Sequence, residues 1–171
     1  PIKLADGEKI EPAKAKDLKI EFIGDSITCG YGVDDEDKEH HFKTSTEDVT
    51  KAYAYKTAKA LNADYSMVSI SGYGIISGYT DDGKKKSEQT IPQYYDKLGF
   101  SYNKFANSLE VASLKWDFDN YKPDIVVINL GTNDMNYAAN DVTRAEFEEG
   151  YKEFLKQVRS HNPDAYIFCT Y

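Results

Sequence analysis

Ile125 to Leu130, reading I-V-V-I-N-L, is the stretch that most restricts the fold. It is almost continuously apolar over the length of one strand, and strands of that kind are buried on both faces of a parallel sheet. Parallel strands need long crossover connections, usually helical, so such a strand implies alternating strands and helices. The rest of the chain agrees. Leu18 to Ile23 and Tyr65 to Ile70 predict two earlier strands, and Ala165 to Tyr171 predicts a fourth. Between them, Ala52, Tyr55, Ala58 and Leu61 recur at helical spacing, with Thr50 as the candidate cap. A longer helix is predicted from Arg144 to Ser160, capped by Thr143 and stopped at Asn162-Pro163. Phe147, Tyr151, Phe154, Leu155 and Val158 mark its apolar face. The expectation is an α/β fold with a central parallel sheet and helices on both faces.

Three of the predicted strands end in small polar residues. The first runs into Gly24-Asp25-Ser26, the second into Ser69-Ile70-Ser71-Gly72, the third into Gly131-Thr132-Asn133-Asp134. In a parallel sheet those ends share one edge, where open α/β sheets place their ligands. A serine hydroxyl beside unpaired backbone N–H groups is half of an acyl-transfer site. Attack by Ser26 Oγ on a carbonyl carbon creates an oxyanion, which the Ser26 N–H, the Gly72 N–H and the Asn133 amide are placed to receive. Removing one such donor costs about 10²–10³ in rate. Asp25, Asp134, Thr28 and Thr132 read as turn-organising residues.

The connecting segments are less regular. Pro1 to Asp17 is polar, with a turn at Asp6-Gly7, and reads as a linker or the edge of an upstream domain. Val33 to Lys51 is highly charged without an apolar period, and reads as a weakly ordered, solvated loop. Tyr73 to Lys86 reads as loop, and Glu88 to Leu98 as a short helix interrupted by Pro92. From Phe100 to Tyr121, Phe105, Leu109, Ala112 and Trp116 keep near-helical spacing.

With 171 residues, one domain with a real core is expected. The net charge of −8 argues against nucleic acid and anionic membrane surfaces as partners. Two cysteines, Cys29 and Cys169, lie in or beside apolar segments and are expected as buried free thiols. No metal-ligand spacing, glycine-rich nucleotide motif or cofactor signature is present, so neither metal nor cofactor is expected. There is no transmembrane run and no visible signal peptide. The chain starts at Pro1 and stops inside an apolar run, so a fragment of a longer chain is expected.

G-D-S-I-T at 24–28, S-I-S-G at 69–72 and G-T-N-D at 131–134 together resemble the SGNH hydrolases, the GDSL esterase family. The resemblance runs from residue 18 to the end. More narrowly, I-E-F-I-G-D-S-I-T-C-G-Y-G and I-N-L-G-T-N-D are similar to carbohydrate esterase family 2, deacetylases of plant polysaccharides. The resemblance implies a three-layer, flavodoxin-like fold over residues 18–171. It implies Ser26 as nucleophile, an oxyanion hole of Ser26, Gly72 and Asn133, an acetylated saccharide as substrate, and a secreted bacterial enzyme. The family's C-terminal D-x-x-H block has no counterpart after Asn133, so the catalytic histidine is expected outside these residues and the domain is expected to be truncated at its C-terminus. Within the chain, His40 forms a literal D-x-x-H with Asp37, but in the wrong place in the family's block order. His161 suits a helix end, and His41 has no motif. Two other functions stay open: a GDSL lipase or thioesterase on acyl chains, and a non-catalytic carbohydrate-binding module.

Overall fold

A computed structural model describes residues 12–101, 104 and 108–170. The turn at Asp6-Gly7, Phe105 and Tyr171 lie outside the described residues.

Four strands, β1 (Lys19–Gly24), β2 (Asp64–Ser69), β3 (Ile125–Asn129) and β4 (Tyr166–Thr170), form one sheet in the order β2-β1-β3-β4. Every pairing is parallel. Gly24 pairs with Ser69 on one side and Asn129 on the other. The segments after β1, β2 and β3 therefore leave from the same edge.

Alternation along the strands explains the layering. Two helices, α2 (Tyr53–Ala60) and α3 (Asp141–His161), flank the sheet. Ile20 and Phe22 of β1 pack with Ala54 and Ala58 of α2, and Ile125 and Val127 of β3 pack against the same cluster. The intervening Ile23, Val126 and Ile128 pack on the other face with Phe154 and Val158 of helix α3. The sheet thus lies between α2 and α3, giving three layers. Ile23, Val126, Ile128 and Val158 have no exposed surface, and each fully buried side chain of this size contributes about 1.5–3 kcal/mol.

Several local expectations are corrected. Helix α3 begins at Asp141, and its cap is Asn140, whose Oδ1 accepts from the Val142 and Thr143 N–H groups at 3.1 Å. Thr143 is the reciprocal partner, its Oγ1 accepting from the Asn140 N–H at 3.2 Å. Helix α2 starts after Ala52 with no side-chain cap, because Asp48 draws Thr50 into a preceding 3₁₀ turn, Val49–Lys51. Around Pro92 only the 3₁₀ turn Ile91–Gln93 forms. A proline supplies no N–H to continue a helix. The stretch after Phe100 contains 3₁₀ turns at Val111–Ser113 and Phe118–Asn120 among the described residues, the second started by the Asp117 carboxylate. Trp116 is no helical residue: its N–H donates to the Asp96 carbonyl, beside the bridge between Lys97 and Lys115. Both cysteines are free, but neither is buried. Cys29 is half-buried on the turn after β1, and Cys169 is exposed on the outer strand β4.

One charge sits inside the sheet. Glu21 is 4% exposed, and its carboxylate accepts from the Tyr95 hydroxyl at 2.8 Å. Asn162 at the end of α3 donates to the same Tyr95 oxygen at 2.7 Å. Burial raises the Glu21 carboxyl above its ordinary value, and the hydrogen bonds from Tyr95 and Ser66 only oppose this. The native state therefore holds that proton to higher pH than the unfolded chain does. The stability this confers is present below the unfolded carboxylate range and is lost as pH rises through the native value. Glu21→Gln is expected to unfold at higher urea than the parent at about pH 8, the gap closing towards about pH 4. A gap that stays constant with pH would contradict this account.

Candidate active site

Ser26 is the first residue of α1 (Ser26–Cys29), a single helical turn at the carboxyl end of β1. Asp25 caps that turn, its Oδ1 accepting from the Ile27 N–H at 3.0 Å. Gly24 is required by a close approach: a Cβ there would lie 1.9 Å from Thr28 Oγ1. Thr28 folds back over the strand end and pairs with the Tyr53 hydroxyl at 3.1 Å. Ser26 is half-buried, and among the described residues neither its hydroxyl nor its backbone N–H has a hydrogen-bond partner.

Gly72 sits three residues beyond β2 with φ +82°. Its carbonyl accepts from the Tyr79 N–H at 2.8 Å, while its own N–H has no acceptor among the described residues. Asn133, 6% exposed, ties these elements together. Its amide nitrogen donates to the Tyr73 carbonyl at 2.8 Å and to Asp25 Oδ2 at 3.2 Å. The residue after β3 thus holds the neighbours of both Ser26 and Gly72. The three residues singled out by the sequence are brought to one place, two with free N–H donors and the third with both amide hydrogens engaged.

Asp134 extends this framework. It is fully buried and receives the N–H groups of Ile75, Ile76 and Ser77 at 2.8–3.0 Å. The carboxylate reaches far beyond its own turn and fixes the loop that follows Gly72. Gly74 makes room for it, since a Cβ there would lie 2.4 Å from Asp134 Oδ2. Burial raises the Asp134 carboxyl against the lowering effect of these N–H groups. Burial also raises Asp25, and the charge of Asp134 adds to that. These N–H partners are 57 to 59 residues from Asp134 in sequence, and no local signal announced them.

The charged segment 33–51 is ordered against α1, contrary to expectation. Asp48 donates its N–H to the Gly30 carbonyl and Asp34 donates to the Thr46 carbonyl, both at 3.2 Å. Lys51 pairs with Asp34 and Asp48. Ser71 donates its hydroxyl to Glu47 Oε2 at 3.2 Å, linking this segment to the glycine loop. A cleft of about 790 Å³ opens beside it, lined among others by Cys29, Phe42, Glu47, Ser69, Ser71 and Trp116.

The histidines occupy different places. His40 Nδ1 meets Asp35 at 2.8 Å, while Asp37, its D-x-x-H partner, is 3.7 Å from Nε2. His161 stacks on Phe118 with ring centroids 3.8 Å apart. It precedes β4 at the amino edge of the sheet, separated from Ser26 by the length of β1, roughly 17 Å. His41 is exposed. No group of three or more His, Cys, Asp or Glu side chains among the described residues could hold a metal ion.

Asp134→Ala leaves three backbone N–H groups without their acceptor, so a loss of about 3–5 kcal/mol is expected in urea unfolding. An unchanged midpoint would show that the carboxylate does not hold the loop.

Comparison with known proteins matches this geometry. The model of the GDSL-like lipase/acylhydrolase family matches residues 22–171. The chain is 38% identical over 163 residues to the cellulase/esterase CelE of Acetivibrio thermocellus, covering 95% of this chain and 18% of that protein. It is 33% identical over 159 residues to an acetylxylan esterase/glucomannan deacetylase of Cellvibrio japonicus, covering 86% and 40% respectively. Its fold superposes on a family two carbohydrate esterase from Clostridium thermocellum, solved in complex with cellohexaose. The TM-score is 0.76 at 36% identity, over 94% of this chain and 44% of that one. The chain spans 18–40% of the length of these curated relatives. By its strand-end motifs, its layered parallel sheet and the family match over most of its length, this chain belongs to the GDSL-like lipase/acylhydrolase family.

Proposed function

We propose that this chain carries the nucleophile and oxyanion donors of a serine esterase that removes O-acetyl groups from carbohydrates. The observation that carries the reading is the half-buried Ser26 hydroxyl, which with the N–H groups of Ser26 and Gly72 has no partner among the described residues. The relatives named as acetylxylan esterase and glucomannan deacetylase support the acetyl-sugar substrate.

In this mechanism Ser26 Oγ attacks the acetyl carbonyl carbon as its proton passes to a histidine. The carbonyl oxygen becomes an oxyanion and accepts the Ser26 and Gly72 N–H groups. Asn133 joins them by releasing its longer hydrogen bond, the 3.2 Å contact to Asp25, and keeping the Tyr73 carbonyl. Collapse breaks the ester bond, the sugar hydroxyl leaves with the proton, and the acetyl group stays on Ser26. Water then attacks the acyl-enzyme and releases acetate, restoring the serine. The base is assigned to a D-x-x-H block outside these 171 residues. His161 lies at the far edge of the sheet, and His40 is exposed on the segment after α1 with no contact to Ser26 among the described residues. A polymer substrate of this kind is met outside the cell, and the enzyme is accordingly assigned to the secreted class.

Ser26→Ala is expected to abolish p-nitrophenyl acetate and acetylated-xylan hydrolysis by the protein containing its histidine block, with unfolding unchanged. Retained turnover in that variant would remove the nucleophile assignment. Asn133→Ala is expected to lower kcat by about 10²-fold. A change confined to KM would count against its oxyanion role.

A further inference from the structure

Tyr31 and Phe42 stack face to face, with ring centroids 4.4 Å apart and planes at 16°. They remain 49% and 44% exposed. Single exposed apolar residues are ordinary on a protein surface, but these two half-exposed rings are held against one another. This pair is held directly to the nucleophile turn: the Tyr31 N–H donates to the Ser26 carbonyl at 3.0 Å. Phe42 belongs to the segment that Asp48, Lys51 and Glu47 fasten to α1 and to Ser71. Phe42 also lines the cleft, together with Glu47 and Ser71. Tyr31 is thus fixed to the turn that carries Ser26, and its stacking partner Phe42 shares a cleft with Glu47 and Ser71.

We propose that the Tyr31–Phe42 pair is a stacking platform for a pyranose ring of the saccharide chain next to the acetylated residue, with Glu47 accepting its hydroxyls. The inference rests on the deacetylase reading and names a subsite for it. Stacked face to face, each ring covers one side of the other, and the exposure that remains leaves an outer apolar face one ring wide. A pyranose offers a matching face of C–H bonds, with most of its hydroxyls directed around its rim. Glu47 accepts one hydrogen bond from Ser71 and keeps acceptor capacity for such rim hydroxyls. The cleft, at about 790 Å³, is within the range of small-molecule sites and gives the chain room to continue. An acyl chain would gain nothing from the carboxylate, and the open rings form a surface rather than a tunnel.

The test compares kcat/KM on acetylated xylan or glucomannan with kcat/KM on p-nitrophenyl acetate, in the protein containing its histidine block. Tyr31→Leu and Phe42→Leu keep apolar bulk but lose the flat face, and Tyr31→Trp keeps it. The polymer-to-small-ester ratio is expected to fall about tenfold in each leucine variant, through KM, and to hold in Tyr31→Trp. An unchanged ratio, or equal loss on both substrates, overturns the platform. If the parent hydrolyses neither substrate, the deacetylase reading fails, and calorimetric titration of this chain with xylohexaose or mannohexaose decides the subsite. Weaker binding in Tyr31→Leu supports it; equal or absent binding overturns it.

Discussion

The buried carboxylate of Asp134 is the contact on which the rest of the site depends. It leaves the end of β3 and collects the three N–H groups of residues 75–77 from the loop beyond β2. A charge buried this deeply costs several kcal/mol unless hydrogen bonds satisfy it. Here the loop backbone supplies them, so the carboxylate and the loop each satisfy groups that the other would leave stranded. The neighbouring Asn133 repeats the device with a neutral amide, joining the Tyr73 carbonyl to Asp25. Through these two residues the ends of β1, β2 and β3 become one rigid edge. The Ser26 and Gly72 N–H groups, unpaired among the described residues, lie along that edge.

The buried carboxylates lie in or beside the sheet. Asp25 and Asp134 stand at its carboxyl edge, Glu21 stands inside it, and burial raises all three carboxyls. Their partners differ in kind. Glu21 meets hydroxyls from Tyr95 and Ser66, whereas the donors to Asp134 among the described residues are main-chain N–H groups. The Tyr95 hydroxyl connects Glu21 to Asn162 at the end of α3, so the network spans the layer between sheet and helix.

The sheet was legible because its signal is local. Runs such as I-V-V-I are apolar on both faces, and the strand-end glycines, serines and asparagines follow directly in sequence. The positions of Ser26, Gly72 and Asn133 could be read for the same reason. What escaped reading is long-range. Glu21 looks like a solvent-facing interruption of an apolar strand until Tyr95, 74 residues later, is known to cover it. The reach of Asp134 to residues 75–77 is hidden for the same reason. Helix starts failed more narrowly. Asn140 and Thr143 cap reciprocally, so either reads as the first residue outside the helix. The segment 33–51 is largely exposed, as its charges suggest, but its contacts to the rest of the chain could not be read. Lys51 pairs with Asp34 and Asp48 within it, and the Asp48 backbone N–H reaches the Gly30 carbonyl at the end of α1.

The most direct test of the account is covalent labelling with a fluorophosphonate, followed by peptide mass spectrometry, on the protein containing its histidine block. The reagent places a tetrahedral phosphorus on an activated serine and an oxygen where the oxyanion forms. The account predicts one adduct, on Ser26, formed more slowly in Asn133→Ala and absent in Ser26→Ala. A stoichiometric adduct on another residue, or no adduct while acetyl esters are still being hydrolysed, would contradict it.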